Sequence, residues 1–315
     1  MQTILGAGGT IGKLLAAELP KYTDKVRLVS RNPHKVNDND ELITADLTLP
    51  GSVDRAVKGS DVVYLTLGFD YNLKVWQKRW PALMKETIDA CIAHNARLVF
   101  FDNVYVYDEN EIPHMTEDSK INPPSHKGAV RKEISEMLLS AVRDGKLNAL
   151  IARCADYYGT ESKTSLVFQM MVKNLAAGRS AMWFMSSSKV HSFTYVPDAA
   201  RATALLGNTA DAFGQVWHLP TDSTRITIEE FVKMIAGELN VSLRIRVLPL
   251  FIIRMLGLFM PVMKEMPEMI YQDDRDYFFD SSKFVKRFGI KPTYYKDGIK
   301  EMCATYYSYA HRPAA

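Results

Sequence analysis

Seven residues near the start of the chain, Gly6-Ala7-Gly8-Gly9-Thr10-Ile11-Gly12, have the make-up of a phosphate cradle. Glycines let the backbone approach phosphate oxygens, and the free N–H groups and positive dipole end of a following helix face the negative charge. The setting fits, because Gln2-Thr3-Ile4-Leu5 reads as a short buried strand and Ile11, Leu14, Leu15 and Leu19 recur at helical spacing. Gly6, Gly9 and Gly12 give G-x-x-G-x-x-G, while the stricter G-x-G-x-x-G fails at Ile11. Any tight strand-to-helix turn favours glycine, so the motif takes its weight from the strands and helices around it.

Residues 25–30 form a second strand, closed by Arg31-Asn32-Pro33. In a dinucleotide fold this strand end sits beside the adenosine ribose. An acidic residue there accepts hydrogen bonds from the 2′-hydroxyl, whereas arginine pairs with a 2′-phosphate. Ser30 and Arg31 therefore favour NADP over NAD; the other reading of Arg31 is a solvated arginine at a strand end. After a third strand, residues 42–45, Asp46 either touches the adenine or caps the next turn.

The elements that must position these residues follow from periodicity. Residues 61–67 make an almost wholly apolar fourth strand, as a strand covered on both faces should be. A long helical tract runs through His94, with Pro81 predicting a bend or restart. The fifth strand, residues 97–101, leads into Asp102-Asn103; Ser125 can cap a helix running to about residue 142; and the sixth strand, residues 147–152, ends in Arg153. This alternation predicts an α/β fold, a doubly wound parallel sheet of the Rossmann type with ligand across the carboxyl ends of its strands. Short strands around 182–184, 192–196 and 216–219 then mix with helices, one opened by a Thr227/Glu230 capping box. Residues 1–160 are expected to form a dinucleotide-binding domain. Residues 161–315 are expected to form mainly a smaller, mixed substrate-binding lobe, with some segments returning to the main sheet. The run Tyr306-Tyr307-Ser308-Tyr309 reads as a packed helix face.

The 315 residues, 47% of them apolar, can bury a substantial core, and a net charge of +3 is too small to imply a nucleic-acid or membrane-surface partner. Cys91, Cys154 and Cys303 stand in no C-x-x-C or Cys/His spacing, which suits a reducing cytoplasm and argues against a disulfide frame or metal site. The fold starting at residue 2 leaves no place for a signal peptide. Residues 248–263 are membrane-like but too short for a span and interrupted by Arg254, Gly257 and Pro261. They read first as helix packing in the C-terminal part, and second as an interfacial helix.

In its whole layout the chain resembles the extended, atypical short-chain dehydrogenase/reductase superfamily, of the NAD(P)-dependent epimerase/dehydratase type. The matching features are the Gly6/Gly9/Gly12 turn, Asp46-Leu47, Val106-Tyr107, Arg153 with Tyr158-Gly159, the segment Phe193 through Ala200, and Thr227 with Glu230. The resemblance implies a cytoplasmic oxidoreductase or epimerase-type enzyme with a small polar or sugar-like substrate, and makes a homodimer plausible. It also implies cofactor contacts at Thr10, Ile11, Leu47, Leu67, Gly68, Lys127 and Tyr157, besides the glycines, Arg31 and Asp46.

The catalytic signature departs from the pattern. Family members pair Tyr-x-x-x-Lys on the helix after the fifth strand with a Ser or Thr at that strand's end. Here no tyrosine is followed four residues later by lysine; the aligned positions hold Lys127, Arg131 and Asn103. Lys127 and Arg131 lie one turn apart, so each disfavours charge on the other, and lysine is the one able to yield its proton. Lys127 then serves as general acid/base, Asn103 donates to the same substrate oxygen, and Arg131 takes the ribose-binding role of the family's lysine. Asp156 is placed to meet the substrate, and Tyr105, Tyr157 and His126 are further proton-transfer candidates. The alternative is a catalytically silent NADP(H)-binding sensor or regulatory protein in which the two cations only bind anions.

Overall fold

Buried apolar runs set the central sheet. The computed structural model describes residues 1–162 and 164–310, with side chains as far as Tyr306. Its strands are β1 (Gln2–Leu5), β2 (Val26–Ser30), β3 (Glu41–Thr44), β4 (Val62–Leu65), β5 (Arg97–Asp102), β6 (Ala149–Arg153), β7 (Asp156–Tyr158), β8 (Ala181–Phe184), β9 (Phe193–Tyr195), β10 (Val216–His218) and β11 (Ile245–Leu248). Every residue of β1, β4 and β6 is buried, as strands covered on both faces require. β3 has exposed positions instead, and Glu41 there pairs with Arg27 of β2 at 3.0 Å.

Contacts divide the chain into two units: residues 1–106, 121–154 and 199–219, and residues 107–120, 155–198 and 220–315. The first unit holds a seven-stranded sheet, parallel throughout, in the order β10-β6-β5-β4-β1-β2-β3. This is the doubly wound sheet that the strand and helix alternation predicts, and its winding reverses between β1 and β4. The carboxyl ends of those two strands therefore bound the crevice where such sheets take ligands. Four helices matter to the site: α1 (Thr10–Glu18), α2 (Ser52–Val57), α3 (Leu73–Ala93) and α4 (His126–Arg143). α3 does not restart at Pro81 but runs through it, opened by Asn72, whose side chain accepts from the Val75 N–H at 3.1 Å. Trp76, Trp80, Leu83 and Met84 of α3 and Val130, Ile134 and Leu138 of α4 share one core with Leu65 and Phe100.

The second unit has two small parallel pairs, β7 with β9 and β8 with β11. Its core gathers Tyr158, Trp183, Phe193, Phe231 and Tyr295. Thr227 and Glu230 do form the capping box at the start of the helix Ile228–Glu238. Tyr306 lies against Phe168 with ring centroids 6.0 Å apart, while the side chains of 307–309 lie outside the described residues. Residues 248–263 are not one packed helix. They make two short helices, Leu250–Leu256 and Pro261–Glu265; Ile253 is buried, while three large apolar residues of the helices and three of the turn between them are exposed. Hydropathy records apolar content but not whether anything covers it, which is why the sequence reads first as packing. Among the described residues no helix is long and apolar enough to cross a membrane.

Candidate functional site

The glycine turn is built around close backbone approach. Gly6 has a φ of +100°, and a Cβ there would lie 2.6 Å from the backbone N and Cα of Leu67, two residues beyond β4. A Cβ on Gly12 would lie 2.6 Å from the Gly6 carbonyl oxygen and 2.8 Å from Ala7 Cα. Gly9 is different: it caps α1, and a Cβ would reach nothing nearer than 3.5 Å. Folding thus requires Gly6 and Gly12, while the openness at Gly9 faces the space a ligand would take. Among the described residues no side chain caps α1 and no acidic residue stands in its first turn, so its N-terminus offers backbone N–H groups to an anion. Gly12→Ala is expected to destabilise the chain by about 1–3 kcal/mol, because backbone atoms must give way. Thermal melts and NADPH titration of the variant check this; an unchanged melting point would show that the turn is not so tightly built.

A cleft of about 420 Å³ opens here, lined by Gly6, Gly8, Gly9, Ser30, Arg31, Asp46, Leu47, Leu67, Gly68 and Arg79 among others. Ser30 Oγ is buried next to Gly8 and has no hydrogen-bond partner among the described residues. Asp46 accepts from the Thr48 hydroxyl at 2.7 Å and its N–H at 2.9 Å. Those bonds, and then the nearby charges of Arg31 and Arg79, hold its carboxyl below the usual range. The cleft thus presents an orphaned hydroxyl, two guanidiniums and a firmly ionised carboxylate beside the glycine turn. A pyridine dinucleotide, with its anionic diphosphate and its polar riboses, fits this donor set. Thr10 and Ile11 start α1 and do not line the cleft, and Ile11 is buried.

Asn103, Lys127 and Arg131 are held by β5 and α4, which pack within the first unit. Asn103 Oδ1 accepts from the Tyr105 N–H at 3.1 Å, which leaves the amide nitrogen as the side chain's donor. Ser125 caps α4 by accepting from the Gly128 N–H at 3.0 Å. A Cβ on Gly128 would stand 2.3 Å from the Tyr105 carbonyl oxygen, so this glycine lets the first turn of α4 close on the segment after β5. Lys127 sits in that turn, fully buried, its Nζ 4.7 Å above the Tyr71 ring. His126 beside it is exposed, and the Tyr105 ring stacks on Trp76.

Arg131 is committed elsewhere. Its Nε donates to Asp102 Oδ1 at 2.8 Å, a second guanidinium nitrogen donates to the same oxygen, and the group lies 4.5 Å above Trp80. Arg153 Nε reaches the other Asp102 oxygen at 3.2 Å, and Ser135 also donates to it. Burial by itself would raise the Asp102 pKa, but Arg131 and Arg153 overcome it and hold the carboxyl below its usual range. The three groups form a buried ion triad that ties α4 to β5 and β6.

Asp156 and Tyr157 belong to the second unit, on β7. Asp156 Oδ2 lies 3.0 Å from Nε2 of the buried His191, which stacks on Tyr277 with ring centroids 4.2 Å apart. The pKa of the buried Asp273 is pushed well above the usual carboxylate range, first by burial and then by Asp156. Sequence reading missed Arg79, Asp102 as a partner, Gly128 and Asp273. Of these only Gly128 carried a local signal, a glycine one turn into a helix.

The family model described as NAD dependent epimerase/dehydratase family matches residues 3–218. Among curated proteins none matches the chain. Solved structures of similar fold include DesIV, a dTDP-glucose 4,6-dehydratase from Streptomyces venezuelae with NAD bound, 18% identical over 98% of this chain and 97% of that one, with a TM-score of 0.78. UDP-glucuronic acid 4-epimerase from Bacillus cereus in complex with NAD is 16% identical over 98% of this chain and 99% of that one, with a TM-score of 0.78. UDP-N-acetylglucosamine 4-epimerase from Methanobrevibacter ruminantium M1 is 18% identical over 98% of both chains, also with a TM-score of 0.78.

Proposed function

We propose, from the premise that this chain belongs to the NAD dependent epimerase/dehydratase family, that it is an NADP(H)-binding epimerase, dehydratase or reductase acting on a sugar nucleotide. The observation that carries the cofactor half is the cleft in which the Gly6 turn, the unpaired Ser30 hydroxyl, Arg31 and Arg79 converge. NADP, when bound, supplies a hydride acceptor or donor. The sugar-nucleotide half is favoured by the named activities of the solved structures of similar fold, and the second unit is assigned to reading that substrate.

In this reading the chain's own groups divide the work. The α1 N-terminus and the glycine turn hold diphosphate, and Ser30 and the two arginines hold the phosphorylated ribose. Lys127 gives or takes a proton at a substrate oxygen, and the Asn103 amide donates to that same oxygen. Arg131 is a positioning residue: locked to Asp102, it fixes the turn of α4 that carries Lys127. A cytoplasmic setting and homodimerisation belong to the same proposal.

The expected result for cofactor choice is NADPH binding at least about tenfold tighter than NADH, with Arg31→Ala removing most of the difference and Arg79→Ala part of it. Equilibrium titration with both nucleotides checks this. Equal affinities that survive Arg31→Ala would overturn it. The complete burial of Lys127 favours a second reading, a silent NADP(H) sensor, which predicts binding without turnover on any UDP- or dTDP-hexose.

A further inference from the structure

Six of the second unit's apolar side chains are exposed within twelve residues. Phe251 is 64% exposed, Met255 56%, Leu258 79%, Phe259 84%, Met260 47% and Val262 50%. They occupy both short helices and the turn between them, so the tip is apolar all round rather than along one face. A Cβ on Gly257 would lie 3.0 Å from Lys264 Cα and 3.2 Å from the Arg254 carbonyl oxygen, so the two helices meet at close quarters, with the backbones of Arg254 and Lys264 both beside Gly257. Both cations are exposed, whereas Glu265 and Glu268, further along the chain, are half-buried.

We propose that the hairpin formed by residues 249–265 seats the chain on an anionic lipid bilayer, with Leu258, Phe259 and Met260 in the headgroup and acyl boundary and Arg254 and Lys264 against lipid phosphates. The exposed apolar side chains present on the order of 600 Å² in one patch, at the upper limit for a soluble monomer. An apolar tip above a pair of cations is complementary to a membrane surface, where apolar burial and attraction to anionic lipid act together. Neither helix is long enough to span, so the seat is one-sided and peripheral.

Co-sedimentation of the full chain with vesicles of phosphatidylcholine, with and without phosphatidylglycerol, tests this. Wild type is expected in the pellet, at least about tenfold enriched when phosphatidylglycerol is present. The double variant L258E/F259E should lose that binding on both vesicle types by at least about tenfold while keeping its melting temperature and NADPH affinity. R254E/K264E should lose only the dependence on anionic lipid. Wild type remaining in the supernatant with both vesicles would overturn the proposal. So would a dimer in sedimentation equilibrium that L258E/F259E dissociates, since the patch would then be covered by a second copy.

Discussion

Lys127→Met is expected to lower turnover by about 10³-fold while NADPH affinity stays within a few-fold. The first figure is the loss typical of removing a group that transfers a proton in the transition state. Cofactor affinity should hold because the diphosphate cradle and the arginines of the cleft are built by other elements, β1, α1, β2 and α3. Asn103→Ala, which deletes the amide donor and frees the Tyr105 N–H, should cost about 10²-fold in kcat by the same logic. The measurements are initial rates on UDP- and dTDP-hexoses, with NADPH titration and thermal melts on the same preparations. Unchanged kcat in Lys127→Met would remove that residue from the mechanism. Wild type with bound NADPH and no turnover would favour the sensor.

The parts of this site that could be read from sequence are those whose chemistry is local. The turn at Gly6, Gly9 and Gly12, the buried run of β4, the Ser125 cap and the Thr227/Glu230 box each depend on neighbours a few residues away, and each formed where its residue types predicted. Arg79 was invisible because it reaches the cleft from the second turn of α3, a placement set by packing against Phe69 and the Trp76/Trp80 core. The role of Asp102 was hidden for the same reason. Residues 102, 131 and 153 come together only once β5, α4 and β6 are side by side, and nothing in the spacing foretells it. That juxtaposition changes how Arg131 should be viewed: a cation expected to crowd Lys127 has its own counter-ion.

The triad also makes the largest stability prediction. Asp102→Asn keeps the shape of the side chain but leaves two buried guanidiniums sharing a neutral amide, which should cost about 3–5 kcal/mol. In a chain of this size that corresponds to a melting temperature lower by roughly 6–10 °C. Arg131→Met should cost less, because Arg153 still balances the carboxylate and methionine packs against Trp80 and Phe100. The sign of the pH dependence follows from the depressed pKa of Asp102. A carboxyl with a lower pKa when folded contributes its stability above the unfolded value, near 3.8, and loses it as the pH falls through the folded value. The gap between wild type and Asp102→Asn should therefore stay constant from about pH 7 down to about pH 5 and narrow below about pH 4. Urea melts across that range measure it directly. A variant within about 1 kcal/mol of wild type at neutral pH would mean that the triad is no more than a surface-strength ion pair. The hold that Asp102 and Arg131 exert on the Lys127 turn would then have to be sought elsewhere on α4.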